Sequence, residues 1–219
     1  MDKFTCPLKK IYPQKKKRAE YIIDSLEKIY PDTACGLHFE NDPFRLLVMA
    51  RLSAQCTDKR VNTVSAELFS KFPDAKSMSE APVEEIENLV RSCGVYRMKA
   101  KNIKDMSKII YEKYNSAVPC DMELLLELPG VGRKIANLIR GDVFGIGGIV
   151  ADTHCIRISH RWGLTTKPDP LTTERELSRL IPPEKQSDFC HRVVDFGREY
   201  CSARGAKCDS CPLVNQNNQ

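Results

Sequence analysis

The run Leu128-Pro129-Gly130-Val131-Gly132-Arg133-Lys134 sets two glycines and a lysine into one short turn, and eighteen residues past that lysine stands Asp152, within Val150-Ala151-Asp152-Thr153-His154. Glycines at this spacing suit a tight turn that opens a helix. The first N–H groups of a helix point outward without intrahelical partners, and the helix dipole favours negative charge beside them. With no Cβ in the way, a phosphate oxygen can come within hydrogen-bonding distance. Gly130, Gly132 and Arg133 are therefore candidate phosphate contacts, of the kind that grips a backbone without reading sequence. A plain corner between two helices, bent at glycine, would carry the same residues.

Lys134 falls in the first turn of the helix that this hairpin opens. An amine attacks carbon only when neutral, and a free lysine, with a pKa of about 10.4, is almost wholly charged at neutral pH. A helix N-terminus, the neighbouring guanidinium of Arg133 and partial burial would each push it toward the neutral form. Loss of a group from a sugar carbon builds positive charge on the ring, and a fixed carboxylate such as Asp152 steadies that charge. It can also accept a proton from the amine. The plainer alternatives are a lysine that only pairs with phosphate and an aspartate that only caps the helix following it.

Helical signals position these residues. Lys15 to Tyr30 carries Tyr21, Ile22, Leu26 and Ile29 at helical spacing, and Pro31 stops it. Asp42-Pro43 opens an apolar helix expected to reach Gln55, and Thr57-Asp58 opens another to Phe72. Further helices are expected from Pro82 to Gly94, Met98 to Tyr114, Asp121 to Leu128, Arg133 to Val143, Asp152 to Trp162 and Glu184 to Tyr200. Thr173 and Glu176 have the spacing of a capping box. Pro168-Asp169-Pro170 and Gly145 to Gly148 are expected to be loops. No run alternates apolar and polar residues, so the expected class is all-α.

Composition narrows the setting. Of 219 residues, 42 % are hydrophobic, enough for a sizeable core, and the net charge of +5 mildly favours an anionic partner. Met1 to Cys6 has no apolar centre and is not a signal peptide. No apolar run approaches the roughly 18 residues that span a bilayer, so no membrane partner is expected. The expected protein is soluble and cytoplasmic. Ten cysteines are many for a reducing compartment and point to thiols or metal ligands. Cys6, Cys35, Cys56, Cys93, Cys120, Cys155 and Cys190 are scattered and are read as small buried hydrophobes. Lys9-Lys10 and Lys15-Lys16-Lys17-Arg18 read as a solvated helix start that could add phosphate contacts. His38, His154 and His160 are expected to be structural, and Trp162 to be core.

Four blocks together resemble the endonuclease III family of helix–hairpin–helix DNA glycosylases, which carry a Gly/Pro-rich loop and a downstream Asp. They are Leu52-Ser53-Ala54-Gln55-Cys56-Thr57-Asp58, Gly94-Val95-Tyr96-Arg97-Met98-Lys99-Ala100, the Pro129 to Lys134 hairpin, and Val150 to His154. The likeness runs from about Phe44 to Cys211, without large insertions. It implies a two-lobed fold. One lobe, residues 36–149, is a six-helix barrel holding the helix–hairpin–helix at 121–143. The other joins residues 1–35 to 150–219 and carries the cysteine loop at 201–211. DNA would lie across the cleft between them. Lys134 corresponds to the Schiff-base lysine and Asp152 to the catalytic aspartate. Gln55 corresponds to a residue that fills the gap left by an extruded nucleotide, and Val95 to a wedge position usually held by a larger apolar residue. Extrusion is needed because C1′ of a stacked nucleotide is out of reach.

Cys201, Cys208 and Cys211, spaced x6 and x2, resemble the family's iron–sulfur loop, whose fourth cysteine would fall six positions on, where Asn217 stands. The resemblance implies a [4Fe–4S] cluster. With three cysteines, the alternatives are a [4Fe–4S] cluster with a foreign or solvent ligand, a [3Fe–4S] cluster, zinc held with His191, and a loop with no metal.

The activity implied is a bifunctional DNA glycosylase and abasic-site lyase of base excision repair. It would remove oxidised pyrimidines from duplex DNA and act as a monomer, nucleoid-associated, in a prokaryote. No catalytic metal is implied. One rival is a monofunctional glycosylase of the adenine-mismatch type, which lacks the hairpin lysine and uses a carboxylate ahead of the Gln motif; here Lys134 is present, and 46–54 holds no carboxylate. The other rival is a noncatalytic helix–hairpin–helix module. It gains nothing from a carboxylate such as Asp152 beside phosphates.

Overall fold

The computed structural model describes residues 6–215, so the opening Met1 to Thr5 and Asn217 lie outside the described residues. Among the described residues every regular element is helical, and none is a strand. The chain divides into two compact units, one built from its two ends (up to Ala34 and from Ile146 onward) and one from Cys35–Gly145.

The terminal unit begins with α1 (Leu8–Ile11) and α2 (Lys15–Ile29), which buries Ile22 and Leu26. The central unit follows. Its helices are α3 (Pro43–Leu52), α4 (Asp58–Lys71), α5 (Ala75–Glu80), α6 (Val83–Val90), α7 (Tyr96–Tyr114), α8 (Met122–Leu126) and α9 (Arg133–Asp142). A 3-10 turn, Arg91–Cys93, links α6 to α7. The chain then returns to the terminal unit with α10 (Thr153–Arg161), α11 (Pro170–Leu180), α12 (Pro183–Glu199) and α13 (Pro212–Asn215).

Caps set most of these starts. Asp42 accepts from the N–H groups of Phe44 and Arg45, with Pro43 in the first turn. Thr57 accepts from Arg60 N–H, and Asp121 from Glu123 and Leu124. The sequence missed α5, which Asp74 and Ser77 open with a reciprocal capping box. There serine replaces the usual Glu or Gln at the third position. Two expected boundaries are corrected. α3 ends at Leu52, not Gln55, because Gln55 turns left-handed at φ 56°. α11 starts at Pro170 with Asp169 as its cap, so Pro168-Asp169-Pro170 is a helix start. Thr173 is then a fully buried interior residue, not a cap.

In the central unit α3 is buried on nearly all sides, and α4, α7 and α9 pack around it. Leu46, Leu47, Ile103, Met106 and Ile139 join one continuous core. In the terminal unit α10 and α2 pack on α12. Trp162 is buried, as expected, with its ring centroid 5.4 Å from that of Phe196. Gly197 lets α12 close on α10, since a Cβ there would meet His154 Nδ1 at 2.4 Å.

Three further expectations need correction. Cys120 is exposed and is not a core hydrophobe, and Cys35 and Cys56 are only half-buried, packed against the edge of the core. Arg18 is not a solvated part of a basic opening: it is buried and donates to the carbonyls of Tyr12, Pro13 and Gly163. Lys15 pairs with Glu176 at 2.8 Å.

Candidate active site and DNA interface

The hairpin joins α8 to α9, which pack together. Val131 N–H donates to Leu128 O at 3.0 Å and closes the turn, with Gly130 at φ 80°. The two glycines do different work. A Cβ on Gly130 would meet Arg51 Nε at 2.5 Å and Asn102 Oδ1 at 2.9 Å, so its bareness seats the hairpin against the Arg51–Asn102 pair. Gly132 has no such need: a Cβ there would meet nothing within 4 Å. It is the residue before α9, with no side chain capping the helix. Gly132 is therefore the glycine that leaves open space at a helix start for an anion.

Arg133 and Lys134 are exposed in the first turn of α9, while Ala136 and Ile139 anchor the opposite face in the core. The partial burial expected for Lys134 is absent.

Lys134 belongs to the central unit and Asp152 to the terminal one. Asp152 is half-buried and caps α10, accepting Cys155 N–H at 2.6 Å. This fixes one carboxylate oxygen. His154 sits beside it, with Nδ1 3.3 Å from Arg157 Nη2. Burial is the main cause that pushes the His154 pKa down. Asp152 opposes that shift, and Arg157 and Arg198 add to it.

Gln55 and Val95 share an unusual backbone. Both are exposed and left-handed, at φ 56° and φ 45°. A β-branched residue in that region is strained. What holds both segments is a residue that sequence reasoning passed over. Lys99 is 1 % exposed, and its ammonium donates to Leu52 O at 2.8 Å, to Ala54 O at 2.6 Å and to Cys93 O. One cation thus joins the C-terminal ends of α3 and of the 3-10 turn, where helix dipoles favour positive charge. The residues just beyond those ends are the Gln55 and Val95 segments. Burial pushes the Lys99 pKa below its ordinary value, with the nearby Arg51 adding to the shift and Cys93 and Cys56 opposing it. Beside Val95 lies an open cavity of about 950 Å³, lined by Tyr96, Met98, Lys101 and Lys104 among others, with Met98 60 % exposed.

The cysteine loop follows α12. Cys201 and Cys211 are buried and Cys208 is half-buried. Arg161 ties the loop to α10, donating to Cys201 Sγ at 3.4 Å, Ser202 O at 2.8 Å and Ala203 O at 3.1 Å. Arg157 donates to Cys201 O at 2.9 Å. A tetrahedral zinc with Zn–S of about 2.3 Å would hold its ligand atoms roughly 4 Å apart. The loop cysteines and His191 do not gather within 4.8 Å of one another. In an iron–sulfur cubane each thiolate meets a different iron, so its sulfurs stand farther apart. The donor set fits that group better than zinc.

Residues 48–183 match the HhH-GPD superfamily of base excision DNA repair proteins. Endonuclease III of Synechocystis is 44 % identical over 201 residues, covering 91 % of both chains. Endonuclease III of Bacillus subtilis is 42 % identical over 199 residues, covering 90 % of both. The chain belongs to the endonuclease III family. A solved structure of a trapped endonuclease III–DNA covalent intermediate, an estranged-adenine complex, superposes with a TM-score of 0.85 at 40 % identity. The match covers 93 % of this chain and 98 % of that one. The superfamily match contains Gln55, Val95, the hairpin with Lys134, and Asp152; the cysteine loop lies past its end. No helix among the described residues is long and apolar enough to cross a membrane.

Proposed function

We propose that this member of the endonuclease III family is a bifunctional glycosylase and abasic-site lyase that acts on oxidised pyrimidines in duplex DNA. One observation carries the reading. An exposed lysine stands one residue past an uncapped, open helix start, in a chain alike over 93 % of its length to a structure described as a trapped covalent DNA intermediate. The Cys35–Gly145 unit takes the part of the six-helix barrel and the terminal unit that of the second lobe. The protein works in the bacterial cytoplasm, on the chromosome.

In this reading the N–H groups before and within the first turn of α9, with Arg133, hold a phosphate. Gln55 and Val95 occupy the space left in the duplex when the damaged nucleotide swings out. The neutral amine of Lys134 gives its electron pair to C1′. The C1′–N bond breaks, its pair leaves with the base, and the base takes up a proton. Asp152 stabilises the positive charge that gathers on the sugar as this bond stretches, and it accepts the proton the new ammonium must lose. The C1′–O4′ bond then opens to give an imine with Lys134 Nζ. Loss of a C2′ proton expels the 3′ phosphate by β-elimination, and water releases the lysine. Cys201, Cys208 and Cys211 hold a [4Fe–4S] cluster. When bound, it supplies a rigid cross-link for the loop that carries Arg204 and Lys207.

The test is borohydride reduction on a duplex holding one abasic site. Wild type becomes covalently joined to the DNA, and Lys134→Ala does not. Equal cross-linking of the two proteins overturns the assignment of the nucleophile.

A further inference from the structure

We infer that Cys6 is the fourth cysteine ligand of the iron–sulfur cluster, brought in from the N-terminal segment to stand where the family pattern would use residue 217. The inference rests on the cluster reading above and names a ligand that the spacing of the loop does not contain.

Cys6 is buried at 6 % exposure. Its thiol interacts electrostatically with the thiols of Cys211, Cys201 and Cys208, the complete loop set. The other cysteines have different surroundings. Cys155 and Cys190 hydrogen-bond each other, and so do Cys56 and Cys93. Cys35 lies beside Asp142, and Cys120 is exposed.

The segment carrying Cys6 is firmly seated. Leu8 is fully buried, and Lys9 N–H donates to Cys6 O at 3.2 Å. Lys9 lies where a side chain on Gly163 would be, since a Cβ there would meet Lys9 Cε at 2.5 Å. Arg18 Nη2 donates to Gly163 O at 2.9 Å, and Tyr12 stacks on Tyr21 with centroids 4.4 Å apart. Tyr21 in turn donates to Leu213 O at 2.9 Å, two residues past Cys211. The Cys6 segment and the end of the loop are therefore fastened to the same helix, α2.

A second, independent observation calls for an anion. Arg18 is 6 % exposed, the oxygens it donates to are neutral backbone carbonyls, and its Nε has no hydrogen-bond partner. Burying a guanidinium on such terms is costly. Its electrostatic partner is Cys6. A cluster with core charge +2 bound by four thiolates carries two net negative charges and gives this buried cation its counter-charge. Loading converts four thiols to thiolates and releases four protons, and the +2 core, built of two ferric and two ferrous irons with four sulfides, balances when iron is supplied in both oxidation states.

The experiment uses the full chain, reconstituted anaerobically with sulfide and equal amounts of ferrous and ferric iron. It reads iron and sulfide content, the absorbance of the cluster, and paramagnetic resonance. Wild type binds about four irons per chain, and Cys120→Ser matches it. Cys6→Ser loses about a quarter of the iron and, once oxidised with ferricyanide, gains the signal of an oxidised three-iron cluster, or loses the cluster outright. If Cys6→Ser keeps wild-type iron and spectra while Cys208→Ser loses them, the inference fails and the cluster reading stands. An iron-free wild type overturns the cluster reading and the inference with it. Mössbauer spectroscopy of iron-57-loaded wild type covers the case in which the Cys6 variant does not fold. Four alike, all-sulfur iron sites support Cys6, and one site with an oxygen or nitrogen ligand overturns it.

Discussion

Replacing Lys99 with methionine tests whether a buried cation holds the two left-handed segments. Methionine preserves length and bulk but removes the charge and three donors. The carbonyls of Leu52, Ala54 and Cys93 then lose their ammonium partner. Each buried acceptor left unsatisfied costs about 1–3 kcal/mol. Relief of the ammonium's own desolvation, several kcal/mol for a buried ion, offsets part of that sum. The net expected loss is about 3 kcal/mol, a large share of the roughly 5–15 kcal/mol that stabilises a typical protein. Urea unfolding followed by circular dichroism measures it. Lys101→Met, an exposed lysine on the same helix, is the control and should change stability by less than about 0.5 kcal/mol. The loss should extend to function. Well below the melting temperature, Lys99→Met should excise a paired lesion more slowly while still cleaving a preformed abasic site, where no base has to be displaced. A loss under about 1 kcal/mol, or an equal loss for Lys101→Met, would refute the argument that the three carbonyls depend on this charge.

Three other outcomes follow from the geometry. Gly130→Ala should lose about 2 kcal/mol or more, from a φ of 80° and the contact with Arg51, as read by thermal melting. Gly132→Ala should melt like wild type but bind duplex DNA several-fold more weakly in a fluorescence titration, because its Cβ occupies only the space proposed for phosphate. Glu176 is held down to about 2, from an ordinary 4.5, chiefly by its hydrogen bonds from Lys15 and Thr166. A carboxyl depressed by folding stabilises above its unfolded pKa, and that stability disappears as pH falls through the folded value. Stability of wild type should therefore decline from about pH 4.5 toward pH 2, and Glu176→Gln should flatten that decline in pH-dependent melting.

Much of the architecture could be read from local chemistry. The helices at α2, α9 and α10 were placed to within a residue or two because Pro31, the glycine turn and Asp152 act within one turn of the chain. The start of α11 was misplaced because Asp169 lies between two prolines, a pattern equally typical of loops, and Thr173 with Glu176 offered a competing signature. The hairpin lysine and the capping aspartate could be nominated from neighbours in sequence. Lys99 could not, because its acceptors are backbone carbonyls at 47, 45 and 6 residues' distance, and a carbonyl leaves no trace in residue identity. The company of Cys6 was equally hidden: its neighbours lie about 200 residues downstream, and spacing rules for metal loops look only along a local stretch.

Val95 has a practical consequence for anyone who tries to harden this protein. Its twist costs about 1–2 kcal/mol that glycine or asparagine would recover. Selection on heat resistance alone would favour those replacements there, yielding a sturdier protein without the apolar side chain proposed to push against a base pair. Thermostable variants should therefore be screened on damaged duplex, with position 95 sequenced first.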